Sequence, residues 1–205
     1  MTTTPCPTKH HAVLKAAARV FLAHGYSAAT TDMIQREAGV SKATLYTCHP
    51  NKEALFAAVI EHECAEMARS VQALTATRGD IARTLTELGH AYLRIILSPV
   101  GLALFRVVVA DAPRFPQLAR HFYLAGPKAV GGLVAAQLTQ AAQAGEIDVQ
   151  AVGLDAAAGL FLSLLRGEGQ LECLTHPATP PSAAQLDRWV ELAVATFLRA
   201  FGSRA

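Results

Sequence analysis

Three residues that a helix does not carry through its interior, Gly25, Gly39 and Pro50, divide the first fifty positions of this chain into short segments. From Lys9 to His24, Val13, Ala17, Val20 and Phe21 recur at helical spacing, and Gly25 stands where a C-terminal cap would end that helix. Thr30 or Thr31 can cap a second helix, with Asp32 in a first turn that favours an anion. Gly39 ends it. Ser41 then caps a third helix, which Pro50 stops by removing a donor and restricting His49. Asn51 caps a fourth helix that runs to about Ala76. Three short helices joined by turns of a few residues, with Gly39 in the tight turn, are the pattern of a helix-turn-helix unit.

Beyond residue 52 the helices lengthen. Ala, Leu, Glu, Gln and Arg dominate and β-branched runs are few, so the whole chain reads as all-α. Helices are expected near 52–76, 80–97, 99–111, 115–144 with a break at Gly126-Pro127, 150–172 and 184–202, with Thr175–Pro181 a loop. The expected division is an N-terminal domain over 1–52 and a larger helical domain over 53–205. With 52% hydrophobic and 17% charged residues the chain can bury a sizeable core, which excludes a disordered protein. The uncharged stretch Ala129 to Gly145 carries three Gln and a Thr and is too short to span a membrane. The N-terminus has no apolar h-region, so no secretory signal is expected. Cys6, Cys48, Cys64 and Cys173 show no Cys-x-x-Cys spacing, which fits free thiols in the cytoplasm.

Charge is uneven. Residues 1–52 hold Lys9, Lys15, Arg19, Arg36, Lys42 and Lys52 against Asp32 and Glu37, a balance of +4, while the remainder sums to −2. A basic end and a mildly acidic body suggest that one end meets a polyanion. The stretch VSKATLYTCHPNK sharpens this. Lys42 follows the cap Ser41 and Lys52 follows the cap Asn51, although a helix start disfavours cations. Free backbone N–H groups with an ammonium beside them make a phosphate site. Tyr46 lies on the face of Lys42, four residues on, and its hydroxyl can donate to a phosphate. Ala43, Thr44 and Thr47 are small enough to let the helix enter a major groove, and Thr can meet a base edge or a thymine methyl.

These residues carry a resemblance. The run from Ala12 to Ile60, with Phe21, Gly25-Tyr26, Thr30-Thr31, Ile34, Ala38-Gly39-Val40-Ser41, Leu45-Tyr46 and Lys52-Glu53-Ala54-Leu55, resembles the DNA-binding domain of TetR-family transcriptional regulators. The resemblance implies that Thr30, Thr31, Ser41, Lys42, Ala43, Thr44, Tyr46, Thr47 and Lys52 face double-stranded DNA, with Tyr46 and Lys52 on phosphate. One departure stands out: the family usually has an aromatic pair ending in Phe where this chain has Cys48-His49. That Phe packs into the small domain's core, and a buried His there needs a hydrogen-bond partner. Further on, Phe105 to Leu118 (FRVVVADAPRFPQL) is similar to the AcrR/AefR-like branch, several members of which repress efflux or stress genes. The resemblance implies a palindromic operator, a homodimer through the last two long helices and an inducer cavity in the larger domain.

The residues of the body agree in part. Leu154 to Leu165 is apolar nearly all round and must be covered on all sides. The last helix carries a broad stripe that includes Leu186, Trp189, Val190, Phe197 and Phe201. An isologous contact between two copies would cover both, with Leu154, Ala158, Phe161, Leu165, Trp189, Val190 and Phe197 as the candidates. A small, mainly apolar ligand would be lined by Met67, Tyr92, Leu102, Phe105, Phe122, Phe161 and Leu164, with Arg106 and Arg166 as costly charges in apolar runs. Neither a cofactor nor a metal is expected. Glu87-Leu88-Gly89-His90 supplies one Glu-x-x-His, where a di-iron bundle needs two, and no phosphate loop or Gly-x-Ser-x-Gly elbow occurs. An enzyme is therefore not the expectation. A second reading stays open: a dimeric small-molecule-binding or catalytic bundle that no longer reads DNA.

Overall fold

A computed structural model describes residues 7–72, 80–177 and 179–203. Among them the chain forms α1 (Pro7–Ala28), α2 (Thr31–Ala38), α3 (Lys42–Cys48), α4 (Lys52–Gln72), α5 (Ile81–Ile96), α6 (Pro99–Asp111) and α7 (Pro116–Tyr123). A π-helical turn over Leu124–Lys128 leads into α8 (Ala129–Gln143), followed by α9 (Leu154–Thr175) and α10 (Ala183–Phe201). Pairing between extended segments is confined, among the described residues, to a single bridge between Ile147 and Gly202.

The caps explain the boundaries. Thr30 caps α2 by accepting from Met33 N–H, and Ser41 caps α3 by accepting from Thr44 N–H, each at 3.2 Å. Gly39 ends α2 in the left-handed region at φ 63°, where a side chain would be strained. Its N–H bonds Arg36 O while Val40 N–H bonds Gln35 O, satisfying two of the four carbonyls that the helix end leaves open. Asn51 Oδ1 accepts from Ala54 N–H at 2.7 Å and starts α4. At α10, Ser182 and Gln185 satisfy each other's backbone in a capping box.

Several expectations shift. Gly25, at φ 79° and ψ 162°, leaves the helical region and ends the first stretch of α1 as expected, and a further turn restarts and runs to Ala28. The break expected at Gly126-Pro127 is the π-helical turn, which the missing Pro127 N–H accommodates. Helix α9 begins at Leu154, four residues later than expected, after a loop whose Gly153 has φ 82°, and it breaks again at Gly167. The expected end of the fourth helix, near Ala76, lies outside the described residues.

The chain packs into two units. One comprises Met1–Glu66 with Ala103–Ala125, the other Met67–Leu102 with Gly126–Ala205. The first extends well past residue 52. Leu55, Phe56, Val59 and Ile60 of α4, with Leu104, Val107, Val108 and Leu118, share one core with Phe21, Ile34 and Leu45. An aromatic cluster centres it: Phe56 lies 4.8 Å from Phe21 and 4.9 Å from Tyr26, ring centre to ring centre. Such pairs add roughly 0.5–1.5 kcal/mol each beyond simple burial. The second unit packs α5, α8, α9 and α10 around Leu85, Leu138, Phe161 and Phe197, with Phe161 edge-on to Phe197 at 5.4 Å.

Candidate nucleic-acid interface

Helix α3 is held by one buried side chain, Leu45, and α2 by Ile34. With these pointing inward, most of the remaining residues of α3 turn outward, while Cys48 packs against the core. Lys42, Ala43, Tyr46 and Thr47 are exposed, Tyr46 by 41%, and Thr44 is half-buried. A tyrosine that large, left open on a two-turn helix, is available to a partner. Side chains bridge the two helices across the turn. Lys42 Nζ donates to Asp32 Oδ1 at 3.0 Å, and Tyr46 and Thr31 share a hydrogen bond between their hydroxyls at 3.3 Å. The bond to Asp32 and that anion's charge push the Lys42 pKa upward, so the ammonium stays charged. Ser41 and Thr44 share a 2.9 Å hydrogen bond. Thr47 gives its hydroxyl to Ala43 O at 2.8 Å, so its methyl is the group left free.

Thr30 and Thr31 thus stand at the start of α2, and Ser41, Lys42, Ala43, Thr44, Tyr46 and Thr47 run along α3 from its cap to its last turn. Lys52 is placed differently. Its Nζ donates to Ser27 O at 3.3 Å and lies 4.5 Å above the Tyr26 ring. Burial lowers its pKa, offset by Asp111 and reinforced by Arg114. Its ammonium is thus turned to the end of α1.

Sequence reasoning missed the groups around it. Asp111, at the end of α6, accepts the backbone N–H of Tyr26 at 3.1 Å and of Ser27 at 3.3 Å, and also the Ser27 hydroxyl. Arg114 Nη1 donates to Ser27 Oγ at 3.1 Å, and Phe115 meets Tyr26 edge-on at 4.6 Å. Two clues were visible: the Asp111-to-Pro116 run and the kink residue Gly25. Nothing in the sequence joins positions 84 and 85 apart.

The Cys48-His49 departure is buried in part. His49 is 7% exposed, packs against His10 at 4.9 Å, and its Nε2 is enclosed without a hydrogen-bond partner among the described residues. Burial, and then the charge of His10, lower its pKa. The Cys48 thiol is pushed up by burial, the opposite of what a reactive thiolate needs. Cys64 is buried and raised to about 11, while Cys6 lies outside the described residues.

The nine residues expected to line a ligand cavity are distributed over both units. Phe105, Arg106 and Phe122 belong to the first and are half-buried. In the second, Tyr92 is buried, Leu102 and Arg166 are half-buried, and the side chain of Met67 lies outside the described ones. Arg166 stands close enough to Tyr92 to hold down a phenol pKa that burial raises, and its Nε reaches Leu162 O at 3.4 Å. Phe161 is fully buried in the core, and Leu164 is exposed on α9.

The expected subunit contact needs correction. Ala158, Phe161, Leu165, Val190 and Phe197 are at most 2% exposed, sealed by their own chain, and have no surface to offer a second copy. Leu154 and Trp189 are half-buried. The large apolar side chains that do face outward on α9 and α10 are Leu160, Leu164, Leu171 and Leu192. Glu87, of the lone Glu-x-x-His, pairs with Arg83, and His90 lies 3.7 Å from Asp187.

Residues 13–59 match the family described as bacterial regulatory proteins, tetR family, and residues 83–203 match the AefR-like transcriptional repressor C-terminal domain. Among solved structures, the chain is similar to the Flavonoid-responsive Regulator FrrA at 34% identity and a TM-score of 0.81, over 98% of this chain and 100% of that one. It also resembles a TetR-family transcriptional regulator from Pseudomonas syringae pv. tomato DC3000 (25% identity, TM-score 0.76, 96% and 98% covered). A third likeness, to a TetR-family regulator from Mesorhizobium loti MAFF303099, has 23% identity and a TM-score of 0.85 over 95% and 97% of the chains. No curated protein matches.

Proposed function

Because the chain belongs to the TetR family of transcriptional regulators, with an AefR-like C-terminal domain, we propose that it is a ligand-responsive repressor that binds a palindromic operator as a homodimer. The observation that carries this reading is the outward face of α3 with the start of α2. Lys42, Tyr46 and Thr31 offer donors to phosphate, and Ala43, Thr44 and Thr47 approach base edges in a major groove. Asp32 holds Lys42 in the free protein and gives it up to a phosphate on binding. Operator binding places the protein in the cytoplasm, and binding, not catalysis, is the work of the helical body. Genes of efflux or stress response are the proposed targets.

A small, mainly apolar ligand would sit in the larger domain with Arg166 and Tyr92 as polar anchors. One relative is named for its response to flavonoids, and a flat phenolic molecule suits that pair: apolar rings with an acidic hydroxyl for the guanidinium. Such a ligand acts only by binding one conformational state better than the other.

Fluorescence anisotropy on the DNA upstream of the protein's own gene, at two salt concentrations, tests the reading. Selective binding that weakens steeply with salt is expected, the log–log slope falling by about 0.9 for each phosphate neutralised. Lys42→Ala with Tyr46→Phe should weaken it at least tenfold and flatten that slope by about one or two phosphates' worth. Equal, weak binding to unrelated DNA would favour a bundle that no longer reads DNA.

A further inference from the structure

Asp111 closes α6, yet the three described hydrogen bonds of its carboxylate go to the far end of α1, while its carbonyl accepts from Arg114 and Phe115 N–H. After the kink at Gly25, α1 restarts for a single turn, closed by Ala29 N–H on Gly25 O at 3.2 Å. The first free donors of that turn are the N–H groups of Tyr26 and Ser27, and one carboxylate oxygen accepts both. An N-cap residue does the same for its own helix; here the cap comes from more than eighty residues away. Ser27 is then held from three sides: its hydroxyl donates to Asp111 and accepts from Arg114, and its carbonyl accepts from Lys52. The capped turn runs through Ala29 into Thr30, the N-cap of α2, and Thr31, which bonds Tyr46.

We infer that Asp111 is a positioning residue for DNA recognition, a cap supplied from a distant helix of the same chain that fixes the α1–α2 turn and through it the Thr31–Tyr46 pair. The inference rests on the operator-binding reading and gives the Asp111–Pro116 corner a role. Arg114 and Phe115 brace the same turn through Ser27 and Tyr26. Electrostatics alone makes the opposite forecast: removing an anion from the DNA-binding unit should tighten DNA binding.

The test uses the full chain and the variants Asp111→Ala and Ser27→Ala. Operator affinity is expected to fall roughly five- to tenfold in Asp111→Ala, the scale of a lost cap, with the log–log salt slope unchanged because no phosphate contact is removed. In the free protein, amide exchange should speed up at residues 26–31, and combining the variants should add little to Asp111→Ala alone, since both break one unit. Affinity equal to wild type or tighter would overturn the inference. So would faster exchange confined to α6, which would mark Asp111 as a local brace. A wild-type protein that binds no duplex overturns the operator reading itself, and that result is seen before any variant is made.

Discussion

At the position after Cys48, His49 sits where the family's pattern places Phe, and the surroundings still suit a Phe. The ring is nearly closed off from water, and its Nε2 is orphaned among the described residues. An unpaired buried polar atom costs roughly 1–3 kcal/mol, so His49→Phe is expected to raise stability at pH 7.5 by about 1–2 kcal/mol. The pH dependence follows from the direction of the pKa. Unfolded, the imidazole titrates near 6.5; folded, burial and His10 hold it lower. Above 6.5 both states are neutral and the group contributes no slope. Below 6.5 the unfolded chain takes up a proton that the native state refuses, so stability falls with pH until the folded pKa is reached. Urea unfolding of both proteins at pH 7.5 and 5.5 checks this: the gap should widen at the lower pH. A gap that narrows would mean that the native state finds His49 a partner when charged.

Helix α9 shows what close packing of whole elements demands. A Cβ on Gly169 would stand 2.8 Å from two ring atoms of Trp189 on α10, closer than real Cβ contacts come. On Gly89 of α5 it would meet Leu165 and Val190 at 3.0 Å, a distance that flexible methyls can relieve. Gly169→Ala is therefore expected to lower stability by about 1–2 kcal/mol, overpacking outweighing the roughly 1 kcal/mol of helix propensity gained. Gly89→Ala should come out nearer neutral. Thermal unfolding with the fluorescence of Trp189 compares the two, and a larger loss at Gly89 would contradict the packing described. The same helix marks the limit of what sequence can tell. Wherever a terminus has its own cap, as at Thr30, Ser41, Asn51 and Ser182, the sequence places the helix within a residue or two, because the interaction is local. The outward face of α3 is legible for that reason. From Leu154 to Leu165 helix α9 is apolar nearly all round, so periodicity cannot say which face goes inward, and five of the seven expected subunit contacts fell on the core. The Asp111 cap is illegible for another reason: hydrogen bonds across more than eighty residues leave no periodic trace.

For the molecule as a whole, the proposed palindromic operator would require two copies held at a fixed spacing, since its half-sites would lie one helical turn apart. The side chains that would hold them are the large apolar ones that their own unit leaves exposed. Leu160 and Leu164 lie one turn apart on α9, exposed by 47% and 41%, and Leu192, 66% exposed, lies on the face of α10 opposite Val190, Val194 and Phe197. Apolar side chains grouped on outward faces mark interaction sites, whereas the buried Phe197 is committed to the fold. The two classes should separate cleanly. Leu160→Glu with Leu192→Glu places charges where a second copy would bury them, at little expense to the monomer. The variant is expected to stay folded, elute as a monomer and lose operator affinity by at least about a hundredfold, since each half-site must then be bound alone. Phe197→Ala should instead cost about 3–5 kcal/mol of stability. Its folded fraction should keep the wild-type oligomeric state. Light scattering beside urea unfolding reads both quantities. A Leu160→Glu, Leu192→Glu protein that remains dimeric would move the contact off this face of α9 and α10 and leave the inward assignment of Phe161 and Phe197 untouched.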